Sequence, residues 1–317
     1  MAINSKRIAA FDIGTVTCRL LLAEVQDGAL HELERRCVIT NLGVGVDKTG
    51  VLQEDAIQRV VSQIAEYVEI VNGYRNEQYP DIPIVAVATS ASRDARNSDA
   101  LVGKLRKLGV ELSVIEGERE AALSFRGASR GYEGENLLVA DIGGGSTEVV
   151  LGVGGKSPVL AHSFNVGCRR MTERFYVSDP PSADEASAVR TWVREELAPF
   201  FQHAREQGIA IDRIVAVAGT ATSVVSMHKE MKVYDSSQVD GVSVSRETLQ
   251  GLYDRLRSMP LAQRKQVVGL QPERASVIVA GLGILLEVLD AASCKTFTVS
   301  ESDILQGLVL SVYEQEK

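Results

Sequence analysis

The chain has 317 residues, enough at ~150 residues per domain for two domains. Hydrophobic residues make up 45% and charged residues 24%, the ordinary globular range, which excludes a disordered, collagenous or disulfide-scaffold chain. With 34 basic against 42 acidic residues the net charge is −8, which excludes a broad basic surface for nucleic acid or anionic membrane but not a local basic pocket for a small anion.

Cys18, Cys37, Cys168 and Cys294 show no C-x-x-C pair and no metal spacing, so they read as reduced thiols of a cytoplasmic protein. His31, His162, His203 and His228 form no H-E-x-x-H pattern and read as structural or surface residues. The opening MAINSKRIAAFDIG is interrupted by Asp12 and lacks a small-residue cleavage site, so it reads as a first strand rather than a signal peptide. Ala275–Leu286 is the most apolar stretch, but at about a dozen residues it falls short of the ~20 that cross a bilayer and reads as a buried helix.

In chain order, apolar runs predict strands at Ile8–Phe11, Leu20–Val25 and Leu30–Ile39, then a helix over Gln53–Val71. A strand at Ile84–Ala88, a helix over Asp94–Leu108, a strand at Glu111–Ile115 and a helix starting near Gly117 follow. The second half reads as a helix over Ala183–Gln207, a strand at Ile214–Ala218, a turn at Gly219–Thr222 and a helix over Leu249–Ser258. After the buried helix at 275–289 come a strand at Phe297–Ser300 and a helix following Ser302-Asp303. Alternating strands and helices indicate an α/β fold.

Arg7–Thr17 and Asn136–Thr147 share one pattern: an apolar strand, Asp-Ile-Gly, a small polar turn and a second strand. The two Asp-Ile-Gly segments begin at Asp12 and Asp141, 129 residues apart, too far for a solenoid repeat and about right for two similar domains facing each other. The cleft between such domains is the default binding site, and the domain boundary is expected between residues 118 and 119.

Asp141-Ile-Gly-Gly-Gly-Ser-Thr-Glu148 is the most informative segment. The glycines Gly143, Gly144 and Gly145 let successive N–H groups turn toward one anion, Ser146 and Thr147 add hydroxyl donors, and Asp141 can hold a divalent cation with Glu148 close by. The first loop repeats the idea, with Asp12 for a cation and Gly14, Thr15, Thr17 and Arg19 for phosphate. In Ala88–Asn97 a strand leads into a helix, where Arg93 either reaches an anion or is simply solvated. Glu120 opens a helix, a position that favours acids in any case. Gly167-Cys168-Arg169-Arg170 and Gly219–Thr222 are further small-residue turns near cations or strand ends. Two look-alikes drop out. Gly154-Gly155-Lys156-Ser157 lacks the Walker A glycine, having Val150 instead, and no G-x-G-x-x-G opens a helix.

Taken together, DIGTVTCRL (12–20), ATSASRDARN (88–97), EGEREA (116–121), DIGGGSTE (141–148), NVGCRRMTERF (165–175), AGTATS (218–223), ERASVIVAGLGIL (273–285) and SESDILQG (300–307) resemble the exopolyphosphatase and guanosine pentaphosphate phosphohydrolase (Ppx/GppA) family of the actin-like ATPase superfamily. The resemblance implies two ribonuclease-H-like domains, 1–118 and 119–317, with an interdomain cleft. It implies release of terminal phosphate from inorganic polyphosphate or guanosine pentaphosphate with Mg2+ or Mn2+, a non-catalytic phosphate sensor being the alternative of a different class. By the same resemblance Glu120 becomes the base, Arg93 a stabiliser of transition-state charge, Glu148 a positioner of water or metal, Asp12 and Asp141 metal ligands, and Ser90 a phosphate contact. Val16 departs from the family's D-I-G-S-N-S loop, standing at its asparagine position, and Arg119 stands where a first glutamate is usual. The chain looks like the short form of the family. A homodimer is a family expectation that no exposed apolar stripe in the sequence requires.

Overall fold

Successive residues of the opening strand feed two different cores. In β1 (Ser5–Ile13), Ala9, Phe11 and Ile13 join one apolar cluster while Ile8 and Ala10 join another, the period of two that a strand imposes. A sheet covered on both faces follows. The computed structural model describes residues 5–315; residues 1–4, the start of the segment weighed as a leader, lie outside the described residues.

The chain divides into two compact units, Met1–Gly127 with Ile304–Lys317, and Ala128–Asp303. In unit 1, β2 (Thr17–Gln26) and β3 (Ala29–Ile39) follow β1 as an antiparallel meander, and β4 (Ile84–Ala88) and β5 (Leu112–Val114) add in parallel, giving the order β3-β2-β1-β4-β5. One face is packed by α2 (Glu54–Gly73) through Ala56, Ile57, Val60, Ile64 and Tyr67, and by α4 (Ser98–Arg106) through Leu101 and Leu105. The short helices α1 (Val46–Thr49) and α3 (Ser90–Asp94) lie at loop ends. The other face is packed by Leu123 of α5 (Gly117–Ala128) and by Ile304, Leu305, Leu308 and Tyr313 of the last helix, Ile304–Gln315.

Unit 2 repeats the plan. Its strands β6 (Asn136–Ile142), β7 (Thr147–Val153), β8 (Pro158–Phe164), β9 (Arg213–Val217), β10 (Ser243–Ser245) and β11 (Thr296–Val299) run in the order β8-β7-β6-β9-β11-β10. β6 to β8 form the antiparallel meander, β9 and β11 add in parallel, and β10 is an extra antiparallel edge. Helices α6 (Cys168–Phe175), α7 (Ala183–Glu206), α8 (Ala218–His228), α9 (Arg246–Arg257), α10 (Leu261–Arg264) and α11 (Ile278–Ala291) accompany this sheet. α11 is buried from Ile278 to Leu289, so the most apolar stretch of the chain is a core helix as expected. The last helix of the chain, introduced above, is α12 (Ile304–Gln315). Among the described residues no helix is long and apolar enough to cross a membrane.

Three elements differ from the sequence reading. The helix expected over Asp94–Leu108 is two helices, because Ala95 is extended (φ −89°, ψ 131°). Gly219–Thr222 is the first turn of α8 rather than a loop. The units divide at Gly127/Ala128 with α12 returning to unit 1, whereas the expected boundary at 118/119 would strip α5 and α12 from the sheet and open Ile8, Ala10, Leu21, Ala23 and Val25 to water.

Candidate active site

Both hairpins that carry the Asp-Ile-Gly segments are built by the same bonds. The Gly14 N–H donates to the Thr17 carbonyl at 2.8 Å, and the Gly143 N–H donates to the Ser146 carbonyl at 3.0 Å. These two glycine amides therefore close the turns, and only the amides between them can serve a ligand. In each unit a second segment holds the loop carbonyls from behind. In unit 1, Val16 O accepts from Thr40 N and Asn41 N, and Thr15 O accepts from Gly43 N. In unit 2, Gly143 O accepts from Cys168 N and Gly144 O from Arg169 N and Arg170 N, while Arg170 Nε donates to Gly145 O at 2.7 Å. Because a peptide is planar, a carbonyl held backward turns its N–H forward.

That support explains two glycines. A methyl at Gly167 would lie 2.3 Å from Gly144 O, and one at Gly43 would lie 2.2 Å from the Thr15 methyl. It also reassigns several side chains. Arg170, one of the two cations that follow the Gly167 turn, braces the loop, and Arg169 lies 3.4 Å from Glu173. Thr147, expected as a phosphate donor, is fully enclosed and its hydroxyl donates to Val166 O, so it is a strut instead. Val16 is buried, so its side chain serves the core while its backbone serves the turn. Thr15 Oγ1 and Ser92 Oγ are buried with no hydrogen-bond partner among the described residues. Gly143 and Gly144 are half-buried, while Gly145 and Ser146 are buried.

The carboxylates fall into two different settings. Asp12 and Arg19 oppose each other in the β1–β2 register, and Arg19 Nε and Nη2 reach Asp12 Oδ2 at 2.8 and 2.7 Å. Asp141 and Glu148 oppose each other in the β6–β7 register, and Ser163 Oγ donates to Glu148 Oε1 at 2.6 Å. Two like charges directly opposite on a ladder are unfavourable in isolation and are stabilised by a cation. Among the described residues no group of three or more His, Cys, Asp or Glu side chains is placed to hold a metal. Asp141 and Glu148 fit a cation such as Mg2+, which takes one or two carboxylates and completes its shell with water and phosphate oxygens.

Arg93 and Glu120, read separately from the sequence, are brought together. Arg93, at the end of α3, donates from Nη1 to Ile115 O at 2.8 Å and to Glu120 Oε2 at 3.2 Å, with both side chains largely buried. Ser90, at the start of α3, is buried, with its hydroxyl 3.5 Å from Asp94. Burial drives the thiol of Cys18 far above its usual range, with the Asp12 carboxylate adding to the shift, so this cysteine is inert at neutral pH.

One residue was missed by sequence reasoning. Arg274 is buried and lies against the Gly219 backbone, where a methyl would sit 2.0 Å from its Nη1. Its hydrogen bond is a long one to Gln271 at 3.4 Å, and among the described residues it has no carboxylate partner. The available signal was an arginine just before the most apolar stretch of the chain, Ala275–Leu286.

The family model described as the Ppx/GppA phosphatase family matches residues 21–316. This chain belongs to that family. As a Ppx/GppA protein it is 36% identical to Exopolyphosphatase 2 of Mycobacterium tuberculosis, over 96% of this chain and 98% of the relative. A Ppx/GppA member from Aquifex aeolicus superposes with a TM-score of 0.81 at 30% identity, covering 99% of each chain. An exopolyphosphatase from Cytophaga hutchinsonii superposes with 0.88 at 25% identity, covering 98% of each. The two sheets are those of the actin-like ATPase fold that this family shares.

Proposed function

We propose that this protein is an exopolyphosphatase that releases orthophosphate from the end of inorganic polyphosphate by attack of water. The observation that carries the proposal is the nearly end-to-end similarity to Exopolyphosphatase 2 of Mycobacterium tuberculosis. Glu120 is the general base: it takes a proton from the water whose oxygen bonds to the terminal phosphorus, while the bridging P–O bond breaks and the shortened chain leaves. Arg93, 3.2 Å from Glu120, fixes one oxygen of the base and supplies positive charge for the transferring phosphoryl group.

In unit 1, Thr15, Thr17, Arg19 and Ser90 receive phosphate oxygens, with Gly14 shaping the turn. In unit 2, Gly144, Gly145, Ser146 and Arg274 do so, with Gly143 closing the turn. Asp141 and Glu148 would hold a divalent cation, Mg2+ or Mn2+, and Glu148 also orients the water. When bound, such a cation neutralises charge on the phosphate oxygens. The four free thiols support a cytoplasmic location, and light scattering tests the homodimer expected from the family.

The test is phosphate release from medium-chain polyphosphate and from guanosine pentaphosphate, with and without magnesium, for the wild type and Glu120→Gln. Expected is magnesium-dependent release from polyphosphate, reduced about 10²- to 10⁴-fold by the substitution. Release from guanosine pentaphosphate alone would assign the nucleotide as substrate. Polyphosphate binding with no release from either compound would make the protein a sensor.

A further inference from the structure

The duplicated hairpins invite one comparison that the family match does not make. Residues 12, 14, 17 and 19 of unit 1 correspond to 141, 143, 146 and 148 of unit 2, and the turn bond and cross-strand pairing are the same in both. At the last of these positions the charge is reversed. Unit 2 has Glu148 opposite Asp141, and unit 1 has Arg19 opposite Asp12.

We propose that Asp12 is a positioning residue for Arg19 and not a metal ligand, so that the unit 1 hairpin is a metal-independent anion site. Two nitrogens of one guanidinium, Nε at 2.8 Å and Nη2 at 2.7 Å, converge on Asp12 Oδ2. The Asp12 and Arg19 side chains are only 5% and 14% exposed, so this pair is shielded from the screening that weakens surface ion pairs. A divalent cation at Oδ2 would have to displace the guanidinium and leave a largely enclosed arginine uncompensated, and one at the enclosed Oδ1 would stand a carboxylate's width from that same positive group, so either position is costly. The carboxylate and loop therefore do not fit a metal ligand role. They fit a strut that fixes a planar guanidinium on the strand leaving the Gly14–Thr17 turn, a group whose remaining donors match phosphate oxygens. The choice of phosphate as the anion rests on the proposed function; the pairing itself does not.

The two roles predict opposite signs when metal is removed. If Asp12 held only a metal, removing its charge would leave tripolyphosphate binding in EDTA unchanged or tighter. If it positions Arg19, binding in EDTA weakens. The measurement is calorimetric titration of tripolyphosphate into the full chain in excess EDTA, for wild type, Asp12→Asn, Arg19→Gln, Arg19→Lys and the Asp12→Asn/Arg19→Gln double variant. Expected is a rise in Kd of about tenfold for each of the Asn and Gln variants, with the double variant no weaker than the weaker single, the non-additivity of two groups acting as one. Arg19→Lys, which keeps the charge but loses the fork, falls between wild type and Arg19→Gln. Tripolyphosphate binding by Asp12→Asn equal to or tighter than wild type, additive losses in the double variant, or no binding by the wild type in EDTA would each overturn the proposal. Should Asp12→Asn fail to fold, as judged by circular dichroism, Arg19→Gln and Arg19→Lys carry the test, and equal affinity to wild type in both overturns it. Failure of phosphate release with intact binding in EDTA would remove the proposed function and leave this inference standing.

Discussion

Arg274 is the clearest case of a side chain whose environment speaks louder than its sequence context. A buried guanidinium without a carboxylate is expensive, and such groups persist where a ligand compensates them. Its neighbour Gly219 offers a test that leaves the arginine in place. The methyl of Gly219→Ala would meet the far end of the Arg274 side chain, which can move, rather than backbone, which cannot. Gly219→Ala is therefore expected to fold normally and to raise the KM for polyphosphate to a similar extent as Arg274→Gln, roughly tenfold or more, since a hydrogen bond to a charged group contributes about 1.5–3 kcal/mol. Wild-type KM in Gly219→Ala would show that Arg274 has no part in binding. The same scale shows why sequence reading misassigned Thr147 and left Arg170 without a role. Both sit in loops of phosphate-binding composition, but the carbonyls those loops present inward also need donors, and these two side chains supply them.

At the scale of elements, α7 shows how a helix start is fixed. Ser182 and Glu185 form a capping box, and Glu185 also accepts from Ser178 and from the amide of Val177. The hydrogen bond from Ser178, followed by those from the backbone amides, holds the Glu185 carboxyl down to about 2, against about 4.3 in an unfolded chain. A lowered folded-state value stabilises above the unfolded value and loses that stabilisation as pH falls through the window between the two. Glu185→Gln is expected to lower Tm at pH 7, and the difference from wild type should shrink between pH 4 and 2; a gap independent of pH would refute it. The apolar strands β3, β4, β5, β9 and β11 were legible in the sequence to within a residue at each end, and β1 and β2 to within three. So were α2, α7 and α9, whose apolar positions recur at helical spacing, whereas β8 and β10 were not delimited as strands. What was not legible depended on tertiary contacts. The break at Ala95 carries no proline or glycine, α6 has only eight residues, and α8 begins with a small-residue run that reads equally as a turn.

For the whole molecule, the duplication with its 129-residue offset was visible from two short segments, and the five-strand order common to both sheets follows from it. The return of α12 was not visible, because nothing local distinguishes an apolar helix that packs on its neighbour from one that packs on the beginning of the chain. Its seat is tight. A methyl at Gly307 would lie 2.1 Å from Leu123 O, so α5 and α12 approach through backbone. Gly307→Ala is expected to push the two helices apart and destabilise unit 1 by about 1–3 kcal/mol, measured by denaturant unfolding. No change would mean that the helices are not held this closely. Glu120 lies on α5 and Arg93 on the adjoining α3, so the same variant should lose phosphate release before it loses structure.

The discontinuity of unit 1 also sets an order of events during synthesis. Residues 128–303, the whole of unit 2, must leave the ribosome before α12 can cover its face of the first sheet. At ~5–20 residues per second that interval is about 10–35 s. Throughout it Ile8, Ala10, Leu21, Ala23 and Val25 lack their C-terminal cover, and a nascent-chain chaperone that binds apolar segments has its longest opportunity there. The half of the protein made first is thus the half finished last.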